Sequence, residues 1–177
     1  MWTYRAARPI RWFIFLLALP VFCQNVDVAV SAAGGVSGGD DQATVGVTGI
    51  GASIAFPHAS KHRFQLDYLF QNARHDLKHH RHFLTGSYVV QAKAGAARPF
   101  FHIGGGVVHR RFDTRAFFPP DVAVSRTETD TSLAVLLGGG ATIDVGKAFF
   151  IRPEVRLYTH VGPTWTVLPT LGVGWRF

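Results

Sequence analysis

The chain has a single cysteine, Cys23, and no run of the about 18 to 20 apolar residues that a membrane-spanning helix needs. The first scarcity excludes a disulfide framework and a thiolate metal site; the second excludes a helical span. Charge is also sparse, with 16% of the 177 residues charged against 47% hydrophobic. So apolar a chain is no disordered polymer, and one folded domain is expected at this length.

The formal charge of +7 would suit a nucleic-acid partner, but Arg5, Arg8 and Arg11 stand ahead of WFIFLLALPVF, an apolar stretch at residues 12–22. Basic segment, apolar segment and polar continuation from Gln24 follow the order of a secretory signal, too short to span a bilayer. Residues 1–23 therefore read as a signal peptide cut between Cys23 and Gln24, and residues 24–177 as the mature domain. Phe22 argues against lipidation of Cys23, because a lipobox requires a small residue before its cysteine. Of 18 basic residues, removal of those three arginines leaves 15 against 11 acidic ones. They do not gather on one periodic face with interleaved aromatics, so no nucleic-acid partner is expected.

From Gln24 onward the pattern has period two, which on an extended backbone sends alternate side chains to opposite faces. In the last segment Trp165, Val167, Leu171, Val173, Trp175 and Phe177 alternate with Thr164, Thr166, Thr170, Gly172, Gly174 and Arg176. In the one before, Phe149, Ile151, Val155 and Leu157 alternate with Phe150, Arg152, Glu154, Arg156 and Tyr158. Further outward rows are Leu133 to Ile143, Phe101 to Val107, Leu84 to Val90 and Phe64 to Phe70, each taken at every second residue. The second segment begins with Val45 and Val47 outward, then changes phase to Ile50, Ile54 and Phe56, which predicts a bulge near Gly49 to Gly51. Val26, Val28 and Val30 form the first row.

Eight such segments predict an all-β fold, an eight-stranded antiparallel transmembrane β-barrel formed after signal removal. With the N-terminus in the periplasm, connectors 57–61, 94–98 and 144–147 fall on that side and are short. Segments 34–42, 73–81, 111–129 and 160–163 fall outside, and three of these are longer and polar. The alternative is a soluble sandwich or lipocalin-like barrel with its aromatic rows inside. Against it, the polar rows hold Gly, Thr and Ser rather than the Lys and Glu of a soluble surface.

The last eight residues resemble the β-signal read by the outer-membrane assembly machinery: Thr170, Gly172, Trp175 and Phe177 fill its four slots. With eight strands in a short chain, residues 24–177 resemble the OmpA/OmpX-like family of small outer-membrane β-barrels. That resemblance implies the outer membrane of a Gram-negative bacterium, partnership with its lipid, its lipopolysaccharide and the assembly machinery, and a monomeric state.

Arg152, Glu154 and Arg156 point inward together, with Arg63, Asp67, Asp27, Lys93 and Arg110 in the lumen or at its mouths, while Gly138, Gly140, Gly172 and Gly174 leave room for long side chains. The lumen of an eight-stranded barrel is just wide enough to be filled. A salt-bridged plug is the leading expectation and a narrow solute pore the alternative. Residues 74–82 carry His75, His79, His80 and His82 with Arg74, Lys78 and Arg81; the three cations are candidates for contact with lipopolysaccharide phosphates. Imidazoles can ligate metal, but the spacing fits no closed site, and neither metal nor cofactor is expected. A lipid A-modifying enzyme needs a nucleophile and a base near the outer leaflet. His82 and His109 lie there, but no Ser shares their place and phase, so no enzyme is expected. The runs Gly104 to Gly106 and Gly138 to Gly140 precede no helix pattern and read as strand curvature, not phosphate loops.

The sequence thus predicts a non-enzymatic outer-membrane protein with a structural or adhesive role, exerted through its outer loops and above all through residues 111–129 with Phe117, Phe118, Pro119 and Pro120. Deleting Phe177 is expected to lower the yield of heat-modifiable, membrane-inserted protein several-fold without blocking signal removal. Undiminished insertion would detach the terminal aromatic from assembly.

Overall fold

Inside lipid every backbone N–H and C=O must find a partner within the protein, so a sheet can cross only if it closes on itself. In the computed structural model, which describes residues 26–39, 42–73, 79–92, 95–118, 122–160 and 164–177, it does. The strands are β1 (Asp27–Gly39), β2 (Gln42–Ala59), β3 (His62–Ala73), β4 (His79–Gln91), β5 (Ala97–Phe118), β6 (Val122–Asp144), β7 (Phe149–His160) and β8 (Thr164–Arg176). Each pairs with the next, and β8 pairs with β1 to complete a closed antiparallel barrel. In that seam Asp27 lies opposite Arg176 and Val36 opposite Val167. Beyond it, the Phe177 amide donates to the Val26 carbonyl at 3.0 Å.

The exposed large apolar side chains occupy one phase of each strand and form a belt: Val30, Ile50, Leu66, Leu84, Ile103, Leu133, Ile151 and Leu171 represent the eight strands. Ile50 and Leu133 are 65% and 67% exposed. In water each would forgo about 1.5–3 kcal/mol of burial energy, and an apolar surface of this extent marks contact with another phase. The belt is the lipid face of a transmembrane barrel. At the opposite end from the tall hairpin described below, the chain turns tightly, and Gly95 (φ 52°) and Gly146 (φ 98°) supply the left-handed backbone those turns require.

The start of β2 corrects the sequence reading. Val47 faces inward and is buried, Val45 lies half-buried beside it, and Thr44, Gly46 and Thr48 face outward. No bulge occurs near Gly49 to Gly51, where β2 runs in unbroken register with both neighbours. The register shifts lie at the strand ends instead, between Ser37 and Gly39 on β1 and between Pro57 and Ala59 on β2. The reading took apolar to mean outward, whereas the lumen at this height is itself apolar. Val26 is buried rather than part of the exposed row.

The outer connectors are also shorter than expected, because strands continue through them. Gly34 to Gly39 belong to β1, and Arg111 to Phe118 and Val122 to Thr129 belong to β5 and β6. Residues 1–23, Arg74, His75, Lys78, Lys93, Pro119 and Pro120, and the side chains of Phe117 and Phe118, lie outside the described residues.

β5 and β6, of 22 and 23 residues, overtop their neighbours. Pairing of β4 with β5 ends at His79 opposite Phe112, and pairing of β6 with β7 begins at Ala134 opposite His160. Above these points the two strands pair with each other up to Phe118 and Val122, so that β6 runs on past its last partner on β7 for roughly 40 Å at about 3.3 Å per residue.

Leu137 sits near the middle of the outward row of β6 and Thr129 above the belt. In lipid vesicles Leu137→Arg is expected to cost about 2–4 kcal/mol and Thr129→Arg no more than about 1 kcal/mol, read by urea unfolding with heat-modifiable mobility as the folding check. Equal costs would contradict the placement of the belt.

Candidate functional site

The lumen is built in layers. At its centre β7 projects Arg152, Glu154 and Arg156 inward and β3 projects Gln65 and Asp67. These five side chains form a closed circuit. Arg152 Nη1 donates to Gln65 Oε1 (2.7 Å), and Gln65 Nε2 donates to both Asp67 oxygens (2.7 and 2.9 Å). Asp67 Oδ1 meets Arg156 Nη2 at 3.1 Å, Arg156 grips Glu154 Oε1 through Nε and Nη2, and Glu154 Oε2 returns to Arg152 Nε at 3.2 Å. Two cations and two anions leave the ring neutral. The Asp67, Glu154 and Arg156 side chains are only 1%, 2% and 4% exposed, a burial that unpaired ions could not sustain. The Arg152 guanidinium also lies 4.2 Å from the Phe100 ring centroid, where the ring face attracts a cation.

Of the five charged residues expected to cluster, the structure brings together Arg152, Glu154, Arg156 and Asp67. Arg63 belongs to a second array at the mouth where both termini of the barrel lie. There Arg63 pairs with Asp27, Asp27 with Arg176 (2.9 Å), Arg176 with Asp144 (3.4 Å) and Asp144 with Arg98. The chain alternates in sign and ties β3, β1, β8, β6 and β5 across strands that do not all touch. Between the two arrays a void lined by Asp27, Arg63, Gln65, Phe100 and Arg152 measures about 10 Å³, room for one water at most.

The inward glycines make space for rings more than for charges. A Cβ at Gly138 would lie 2.0 Å from His102 Nε2, and one at Gly174 would lie 2.3 Å from the Phe150 ring. Gly172 has only ordinary contacts, and at Gly140 a Cβ would strike the Pro153 carbonyl.

Above the ring the lumen is apolar. Val47, Leu69, Phe83, Val108, Leu136, Tyr158 and Leu168 pack into one buried cluster, with the Phe83 and Tyr158 ring centroids 4.6 Å apart. Sequence reasoning missed this layer, although Leu69 and Leu168 fall in the inward phase beside Asp67 and beside Thr166 and Thr170, which were assigned inward.

The outer mouth holds Arg81, Arg110 and His160. Arg110 pairs with Asp130, and His160 Nδ1 lies 2.5 Å from Thr164 Oγ1. Arg81 turns into the lumen and donates to Ser37 Oγ at 2.7 Å, away from the lipid side where a lipopolysaccharide contact was expected of it. The residues facing lipid at this level are instead His80, His82 and His109. His80 stacks on Phe70, His82 Nδ1 lies 2.8 Å from Tyr68 Oη, and His109 Nδ1 lies 2.8 Å from Thr131 Oγ1. Thr131 is thus a hydroxyl partner that a search for Ser overlooked, and its register opposite His109 is the signal that finds it. Among the described residues no three His, Cys, Asp or Glu side chains come together to hold a metal ion.

No protein-family model matches the chain, and no curated protein resembles it in sequence. Solved structures do resemble it in shape. Neisserial surface protein A superposes with a TM-score of 0.71 at 12% identity, covering 86% of this chain and 97% of that one. Ail, the attachment invasion locus protein of Yersinia pestis, gives 0.63 at 12% identity over 88% and 100%. The outer membrane enzyme PagL gives 0.53 at 16% identity over 82% and 97%. The chain has the fold of these small eight-stranded outer-membrane barrels, as its alternation and terminal strand led one to expect.

Glu154 is the hub of the central ring, and removing its charge leaves two buried guanidinium groups facing one carboxylate, Asp67. Glu154→Ala is expected to destabilise the barrel by about 3–5 kcal/mol, whereas Thr142→Ala, in the same lumen but outside the ring, costs under about 1.5 kcal/mol. Urea titration in lipid vesicles separates the two, and equal costs would show that the ring adds nothing to stability.

Proposed function

We propose that the protein is a monomeric, non-enzymatic resident of the Gram-negative outer membrane, plugged through its lumen, which engages an extracellular partner through the β5–β6 hairpin. The observation that carries this reading is the reach of that hairpin. Its upper strands pair with each other and leave outward edges, 113–118 on β5 and 122–133 on β6, that pair with no other described strand. Such an edge presents a row of unpaired N–H and C=O groups, which natural sheets cover unless it is used, and an extended segment of a partner can add to it as a further strand. A plugged lumen supports the same reading, because a barrel that carries no solute is left with its outer surface as its working part. One protein of this fold, Ail, is an attachment invasion locus protein.

The competing reading is lipid A modification, for which Thr131 and His109 supply a hydroxyl and a base on the lipid face. Among the described residues no hydrogen bond orients His109 from its other ring nitrogen, as a base serving a nucleophile requires.

Replacing residues 113–127 by Asn-Gly joins Phe112 to Glu128, which lie opposite each other, through a turn suited to a two-residue hairpin. Bacteria bearing this shortened chain are expected to keep a heat-modifiable barrel and to adhere to epithelial monolayers several-fold less than bacteria bearing the full chain. Equal adherence would contradict the role of the hairpin. The lipid A mass spectrum is expected to be the same with and without the protein, and a lost or gained acyl chain would favour the enzyme.

A further inference from the structure

Six inward arginines, Arg63, Arg98, Arg110, Arg152, Arg156 and Arg176, each meet a carboxylate. Arg81 does not. Its residue is only 7% exposed, yet its partners among the described residues are two hydroxyls, Ser37 Oγ at 2.7 Å and Thr166 Oγ1 at 3.4 Å, both held by Nη1. Directly opposite it on β5 stands Arg110, a like charge where like charges repel. Asp130, which could have balanced both, is engaged by Arg110.

On the other side of Arg81, directly opposite it on β3, is Gln71. Gln71 is fully buried, and among the described residues neither its amide nitrogen nor its amide oxygen has a hydrogen-bond partner. His160, on the far wall, likewise has a buried Nε2 without a partner. A buried amide left unpaired costs about 1–3 kcal/mol, so among the described residues this mouth sets a cation without a carboxylate beside three polar atoms without partners. Below them Phe83, Tyr158 and Leu168, all fully buried and two of them apolar, pack into the next layer of the lumen.

We propose that this outer mouth is a binding site for a phosphate- or sulfate-type oxyanion, centred on Arg81 and completed by Gln71 and His160. The free N–H groups of Arg81 and the Gln71 amide donate to the anion. His160 Nε2 donates as well when Thr164 gives its hydroxyl proton to Nδ1. Gln71 Oε1 needs a donor in return, which a protonated phosphate or a neighbouring sugar hydroxyl provides, so the fitting ligand is an oxyanion ester on a sugar. The apolar floor makes the site a blind end that holds its ligand without passing it on. The site stands apart from the hairpin edges and would survive their failure as a binding surface.

The test is a titration of the full chain in detergent micelles with inorganic phosphate and with sulfate, against chloride at equal ionic strength, reading the side-chain NMR signals of Arg81 Nε–H and Gln71 Nε2–H₂. Saturable shifts with the oxyanions and none with chloride are expected. Arg81→Gln should abolish saturation at Gln71, Gln71→Leu should weaken it several-fold at Arg81, and Asp130→Asn should tighten it. Should Arg81→Gln fail to fold, Arg81→Lys, which keeps the charge and loses the planar fork, should weaken binding instead. Lipopolysaccharide in the micelle that reproduces the Arg81 shift identifies the headgroup as the source; a shift from soluble phosphate or a sulfated sugar alone places the source in the medium. Absence of a saturable Arg81 shift with either oxyanion, or saturation at Gln71 unaltered by Arg81→Gln, overturns the site.

Discussion

Everything in this protein depends on the pairing of β1 with β8. Without it the sheet would expose two rows of unsatisfied backbone groups to hydrocarbon, each group costing several kcal/mol. With it, strand number sets the width of the lumen, and at eight strands that width leaves space for side chains but little more. The seam is held by more than its ladder, since Asp27 at the start of β1 binds Arg176 at the end of β8 and also Arg63 on β3. β8 therefore both closes the sheet on β1 and contributes Arg176 to the charge array at that mouth.

Closure then dictates the contents of the lumen. Charges can be buried there only beside opposite charges: the central ring is balanced, and the half-buried array at the mouth where β1 begins and β8 ends alternates three arginines with two aspartates. The next layer avoids the problem by being apolar, from Val47 to Leu168. At the outer mouth, among the described residues, Arg81 faces hydroxyls rather than a carboxylate. In the first three layers every arginine has a carboxylate partner or the packing is apolar. The fourth stands apart from that logic, which makes it the place to look for a ligand.

How much of this was legible in the sequence follows from what each environment demands of a side chain. Lipid accepts only apolar groups, so the outward rows of β3 to β8 could be read residue by residue. The lumen accepts either balanced charge or apolar packing, and the second option cannot be told from a lipid face by residue type. That is why Val45 and Val47 were assigned outward and why the layer of Leu69, Phe83 and Leu168 went unseen. Above the membrane neither face must be apolar: the outward row of β6 continues as Thr131, Thr129 and Thr127, the alternation fades, and a tall hairpin reads as a loop. Arg81 was misplaced for a related reason, since a basic run near the rim gives no hint of which of its members turns inward. The central ring was legible as charges sharing one phase, but its membership was not, because Gln65 and the separate home of Arg63 depend on contacts across the lumen.

The lumen is thus filled by side chains that tie its walls together, a charged ring at the centre and an apolar layer above it. A lumen packed in this way is expected to leave no path for ions. Single-channel recording of the purified, refolded chain in planar bilayers tests this directly. A silent membrane at ordinary voltages and salt is the expected result, and discrete, reproducible open states of the unaltered protein would contradict a plugged lumen.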